Sequence, residues 1–224
     1  MDKIISDFNQ PPKTEQQLLQ NAEQLAGMTF QQVAKQLALN VPQDQKRHKG
    51  WVGELAEKFL GATASTLAEP DFQHIGVELK TIPLNKHGRP AESTYVSTVP
   101  MTNIAGLRWQ DSIVCKKLSR VLWLPIEADK VIAMDARRFG SATLWSPTPT
   151  QEAMLRADWE ELMEMIATGE IDKISSTHGQ HLQIRPKAAN ARSLGRAHTA
   201  DGDPTSTLPR GFYLRTSFTK TIFE

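Results

Sequence analysis

The stretch EPDFQHIGVELKTIPL (69–84) joins a strand signal to a dense set of chemistry-bearing side chains. From Gly76 to Leu84 apolar and polar residues alternate, the period of a β-strand. That period puts Glu78 and Lys80 on one face, about 6.6 Å apart along the strand, and Val77, Leu79 and Thr81 on the other. Asp71 follows Pro70, so a chain that folds back from this turn brings two carboxylates and one ammonium together. Hard divalent cations such as Mg²⁺ take carboxylate and carbonyl oxygens, which Asp71, Glu78 and the Leu79 backbone carbonyl can supply. Such a site suits phosphodiester hydrolysis, with Lys80 orienting water or stabilising developing charge. The spacing D-x(6)-E-x-K is loose, however, and Glu78–Lys80 would serve equally as an ordinary exposed pair.

Outward from this stretch, KHGRP (86–90) supplies turn residues before a second strand, STYVSTVP (93–100). RVLWLPIE (120–127) is nearly continuous in apolar residues, the mark of a strand buried on both faces. Upstream, Thr14 with Gln17 and Thr29 with Gln32 are capping-box spacings. The first opens a helix with Leu18, Ala22, Leu25 and Ala26 on its apolar face, ended by Gly27. The second opens a shorter helix with Phe30, Val33, Ala34 and Leu37. A third helix starts near Trp51, buries Leu55, Phe59 and Leu60, and stops at Gly61. Downstream, residues 151–168 form a helix that buries Leu155, Trp159, Leu162, Met163 and Ile166 and presents its acids outward. HLQIR and GFYLRTS are late strands, and the polar, Gly- and Pro-rich residues 188–210 between them are expected to be a long surface loop.

Composition bounds the class. The 224 residues are 39% hydrophobic, enough for a sizeable core. The lone Cys115 forms no internal disulfide and fits a reducing cytoplasm. No signal peptide or membrane-spanning run is apparent. Net charge is only +1, but residues 151–172 hold seven acids against Arg156, and residues 181–224 hold seven bases against three acids. A local basic face for phosphate contact and two plain solvated surfaces both fit that asymmetry. Arg185-Pro186-Lys187 is a compact basic motif whose proline interrupts a ladder. Arginine suits bidentate contact with guanine, and lysine reaches guanine or phosphate.

The order P-D…E-x-K resembles the PD-(D/E)xK nuclease superfamily. KGWVGELAEKFLGA (49–62), DFQHIGVELKTIP (71–83), KLSRVLWLPIE (117–127), DWEELMEMI (158–166), LQIRPKAANA (182–191) and LPRGFYLRTSFT (208–219) look specifically like the MutH family of methyl-directed mismatch-repair endonucleases. The resemblance runs in order along nearly the whole chain. It implies a mixed α/β, restriction-endonuclease-like fold: a central mixed sheet flanked by helices, with two lobes around a DNA cleft. A single nuclease domain over 1–224 is expected, with a helical and catalytic part over roughly 1–150 and a DNA-reading part over 151–224. The implied activity is Mg²⁺-dependent incision 5′ to G on the unmethylated strand of hemimethylated GATC, with Mn²⁺ or Ca²⁺ able to occupy the site. The implied partners are double-stranded DNA and MutL, with MutS upstream, acting on a cytoplasmic monomer.

Residue by residue, the resemblance assigns Asp71, Glu78 and Lys80 to the metal and catalytic positions. It adds Glu57 near the metal and Lys117 near the scissile phosphate. It places Arg185, Pro186 and Lys187 in the GATC-reading region and Tyr213 where adenine methylation is sensed. Two other functions remain to be told apart from this one: a stand-alone restriction endonuclease and a DNA-binding module that has lost catalysis. Retention of Asp71, Glu78 and Lys80 together argues against the module.

Overall fold

The structure is a computed structural model that describes residues 10–42, 50–64, 69–187, 195–198 and 203–223. In chain order it runs through α1 (Glu15–Leu25), α2 (Phe30–Gln36), α3 (Trp51–Leu60), β1 (Glu78–Leu84) and β2 (Thr94–Thr98). There follow α4 (Ile113–Leu118), β3 (Val121–Glu127), β4 (Thr143–Trp145) and the long α5 (Pro149–Ala167). The last part holds β5 (Leu182–Pro186), β6 (Gly195–His198), β7 (Pro204–Thr207), β8 (Arg210–Leu214) and α6 (Thr216–Lys220). Two compact units share these elements: residues 1–91 with 119–146, and residues 92–118 with 147–224. The chain passes between the units three times, so each is built from two separated stretches. No helix among the described residues is long and apolar enough to cross a membrane.

In the first unit, β3 is the middle strand of the order β1-β3-β4, parallel to β1 and antiparallel to β4, so the sheet is mixed. Its residues Val121–Leu124 are fully buried, as the continuous apolar run predicted. The three helices cover one face. Leu18, Ala22 and Leu25 of α1, Phe30 and Val33 of α2, and Leu55, Phe59 and Leu60 of α3 form one cluster with Val77, Leu79, Leu122 and Leu124. Helix starts follow the sequence signals: Thr14 accepts the Gln17 N–H, and Thr29 and Gln32 form a reciprocal capping box. Gln17 turns instead to the Lys13 N–H, so the first box is only half made. Gly61 closes α3 at φ +76°, where a Cβ would lie 2.6 Å from the Gln10 carbonyl oxygen. Ala26, expected on the apolar face of α1, is exposed because the helix ends at Leu25.

The turn at 85–90 forms, with the Gly88 N–H bonded to the Asn85 carbonyl and Leu84 bridged to Pro90. The strands on either side do not pair with each other. β1 belongs to the first unit, while β2 pairs with β8 in the second, in the antiparallel order β2-β8-β5. Residues 188–210, expected to be a loop, include β6 and β7, which pair with each other as a two-stranded ribbon.

α5 departs from expectation in one side chain. Its acids were expected to face solvent, but Asp158 is buried. The carboxylate accepts the N–H groups of Gln180, His181 and Leu182 at 3.0, 2.6 and 2.8 Å. These amides lead directly into β5, so one buried acid fixes the entry of that strand. Arg215 works on the same loop from the other end, donating to the carbonyls of Ser176, His178 and Gly179. Asp158→Ala leaves three inward-facing amides without their charged acceptor and is expected to cost about 2–4 kcal/mol. Urea unfolding checks this, and a loss below about 0.5 kcal/mol would show that the amides find other partners.

Candidate active site and nucleic-acid interface

β1 is an edge strand, and its pairing decides which groups face outward. The Glu78 N–H donates to the Arg120 carbonyl at 2.9 Å, so by strand alternation the Leu79 amide faces the open edge. There its N–H is taken by Asp71 Oδ2 at 2.8 Å. The Asp71 turn is set by the Phe72 and Val77 amides, which each bond across to the other's carbonyl. The fold-back considered from sequence therefore occurs, and it is anchored by the carboxylate itself.

Glu78 and Lys80 share the other face of the strand, and the Lys80 ammonium donates to Glu78 Oε1. Their ladder partners on β3 are Val121 and Trp123, both fully buried. This neighbourhood leaves Glu78 only 1% exposed, so the pair is not an ordinary surface ion pair. Removing a carboxylate this far from water is costly unless charge and hydrogen bonds compensate it.

Glu57 joins this group from α3. Its carboxyl is pushed up to about 7 by burial, then by the charges of Asp71 and Glu54, with Lys80 opposing and Glu78 adding a little. Four carboxylates and a single lysine thus share one electrostatic neighbourhood. All of Asp71, Glu78, Lys80 and Glu57 lie in the first unit, whereas Lys117, on α4, belongs to the second. Among the described residues no three His, Cys, Asp or Glu side chains converge as a ready metal cage. The expected donor set has two carboxylates and a backbone carbonyl, all hard oxygens, beside an excess of negative charge. That chemistry fits Mg²⁺, Mn²⁺ or Ca²⁺ and not a soft metal.

In the second unit, β5 and β8 bring the candidate reading residues together. Arg185 pairs with Gly211, Pro186 with Arg210, and Gln183 with Tyr213. Phe212 and Ile184 point to the buried side, while Arg185, Pro186 and Lys187 are exposed and Tyr213 is half-buried. The Arg185 guanidinium lies 5.8 Å from the Tyr213 ring centroid and donates to Ser93 Oγ at 2.6 Å. Burial raises the Tyr213 phenol, with Tyr95 adding and Arg185 opposing, so it stays a neutral hydroxyl near pH 7. Residues 188–194, which follow the basic motif, lie outside the described residues.

Sequence reasoning missed Tyr95. It lies directly opposite Tyr213 across the β2–β8 pair, and the rings meet edge-on at 5.4 Å. Lys187 Nζ lies 4.1 Å from the Tyr95 ring centroid and donates to the Tyr95 hydroxyl at 2.6 Å. The chain has only two tyrosines, and both fall here. That scarcity was the one signal available, because nothing local to STYVS names β8 as its partner.

A mixed sheet with an acid–acid–lysine group at its edge strand defines a restriction-endonuclease-like protein. Comparison with known proteins narrows this. Residues 60–158 match the family model described as DNA mismatch repair enzyme MutH. The DNA mismatch repair protein MutH of Shewanella baltica is 52% identical over 224 residues, covering 100% of this chain and 98% of its own. That of Shewanella oneidensis is 51% identical over 96% of both chains, and that of Vibrio cholerae 49% identical over 95% of this chain and 96% of its own. The chain belongs to the MutH family and is a DNA nuclease of mismatch repair.

The raised Glu57 carboxyl has a stability consequence in metal-free buffer. Below its ordinary value of 4.5 it is protonated whether folded or unfolded; between 4.5 and about 7 only the folded state keeps the proton. Stability therefore falls as pH rises through that window, and the penalty is complete above it. Glu57→Gln removes the penalty. With EDTA present it is expected to add on the order of 1 kcal/mol above pH 7 after solvent screening, about 2–4 °C in Tm, and almost nothing at pH 4. A Tm difference that does not change with pH would contradict this origin.

Proposed function

We propose that this protein nicks the unmethylated strand 5′ to G at hemimethylated GATC, by metal-dependent hydrolysis licensed by MutL. The observation that carries the chemistry is Asp71, held by the Leu79 N–H at the open edge of β1 beside the buried Glu78 and the partly buried Lys80 paired with it. Asp71, Glu78 and the Leu79 carbonyl would hold Mg²⁺, which when bound supplies Lewis-acid stabilisation of charge on the scissile phosphate.

The remaining work belongs to the chain's own groups. The Leu79 amide fixes the Asp71 carboxylate in one orientation, so it costs little reorganisation when the phosphate arrives. Lys80, anchored on Glu78, is a compact cation suited to hold the attacking water or a phosphate oxygen. Glu57 keeps a proton or a negative charge close by, according to what else occupies the site. Lys117 is assigned to phosphate contact by the family pattern. Arg185 and Lys187 suit guanine and phosphate recognition, and Tyr213 suits detection of an N6-methyl group, because the methyl adds bulk where adenine otherwise offers an N–H donor and a ring packed against that amino group would meet it. A single Cys115 supports a reducing, cytoplasmic setting, and a monomer suffices for one nick per site.

The test combines purified protein, Mg²⁺ and MutL with unmethylated, hemimethylated and fully methylated GATC duplexes, nicks being mapped by strand. Incision is expected to be weak alone, to rise with MutL, and to fall on the unmethylated strand. Full activity alone, unchanged by MutL, would instead favour a restriction endonuclease. Asp71→Ala, Glu78→Ala and Lys80→Ala should each lower the nicking rate by about a hundredfold or more while DNA affinity is largely kept. Near-parental incision by Asp71→Ala or Glu78→Ala at saturating Mg²⁺ would remove them from the site. Arg185→Ala should lower affinity for GATC by about 1–3 kcal/mol and blur its distinction from near-cognate sites.

A further inference from the structure

The exposed face of β8 has a gap where a side chain would stand. Gly211 sits in the middle of the sheet, paired with Thr98 on one side and Arg185 on the other. Its backbone is not in the left-handed region, so no conformational need selects glycine there, and a glycine inside a strand weakens it. A Cβ at this position would lie 2.8 Å from Tyr95 Cε2, 3.0 Å from Tyr213 Cε2 and 3.1 Å from Tyr95 Cδ2. Carbon atoms in contact prefer about 3.5–4.0 Å. The space that excludes a side chain is thus the space two tyrosine rings occupy.

Each ring also meets a cation of the basic motif: Lys187 lies on Tyr95, and Arg185 stands beside Tyr213. We infer that Gly211 is a specificity-positioning residue, whose missing side chain is the seat that holds the Tyr213 ring against Tyr95 and so sets discrimination between adenine and N6-methyladenine. This rests on the proposed role of Tyr213. A ring that tells a hydrogen from a methyl group must be placed to within about 0.5 Å. A Cβ at Gly211 forces the rings back by about that distance or more to restore normal contact. The three nearest atoms are all side-chain ring atoms, so the rings move and the strand pairing can stay.

Because the chain holds only Tyr95 and Tyr213, fluorotyrosine labelling reports this pair alone by ¹⁹F NMR. In the full-length protein, Gly211→Ala is expected to shift both resonances. It should also reduce the ratio of unmethylated-strand to methylated-strand nicking, measured in single turnovers with MutL, by about tenfold or more. The nicking rate on unmethylated duplex should change much less than this ratio. If both resonances move and the ratio holds, or if neither moves, the inference is wrong.

Tyr213→Ala separates the two levels of the argument. If it keeps the full methylation preference, the role proposed for Tyr213 fails; if it loses the preference while Gly211→Ala keeps it, only the seat fails. Should Gly211→Ala not fold, it is combined with Tyr95→Ala, which removes the nearest ring. The double variant must then discriminate less than Tyr95→Ala alone, and equal ratios would overturn the seat.

Discussion

The hydrogen bond from the Leu79 N–H to Asp71 Oδ2 links the fold of the first unit to its chemistry. An edge strand leaves every second amide without a ladder partner, and inside a protein such an amide needs an acceptor. Here the acceptor is a carboxylate from the preceding turn. That bond gives the amide its partner, fixes the turn at 71–77, and brings a negative charge beside Glu78. The same feature that blunts the sheet edge therefore concentrates charge there, and Glu57, raised first by burial, is raised further by Asp71.

The second unit follows the same logic, a side-chain carboxylate accepting backbone amides, with an arginine added on the carbonyl side. Buried Asp158 holds the amides that enter β5, and Arg215 holds the carbonyls of the preceding loop. Between them, two charged side chains set where β5 begins and hence where Arg185 and Lys187 emerge. Asp158 is buried and Arg215 half-buried, so solvent competes less for the bonds that position the exposed residues.

What the sequence disclosed follows from the range of the forces involved. Helix starts at Thr14, Thr29 and Thr148 were local matters of capping, and the first two were legible. The β1 strand and the shared face of Glu78 and Lys80 followed from period two. The burial of Glu78 did not, because it depends on Val121 and Trp123, which reach it only through parallel pairing. Asp158 was read as a surface acid because helical spacing is silent on which amides a loop will bring to it. Tyr95 and Gly211 escaped notice for the same reason: their significance lies in β2 meeting β8 across more than half the chain. The family resemblance supplied Glu57 and Lys117, which spacing alone would not have distinguished from neighbouring charges.

The interleaving of the two units has a consequence for synthesis. β2 leaves the ribosome more than a hundred residues before β8, its only ladder partner among the described strands. At about 5–20 residues per second the wait is roughly 6–20 s, far longer than hairpin closure. During that time STYVST is an orphan edge with a high β propensity. Its five hydroxyls make it a poorer template for intermolecular pairing than an aliphatic strand would be. Once folded, Thr94 Oγ1 and Ser97 Oγ are buried without a hydrogen-bond partner, a cost to the native state of groups that keep the waiting strand soluble.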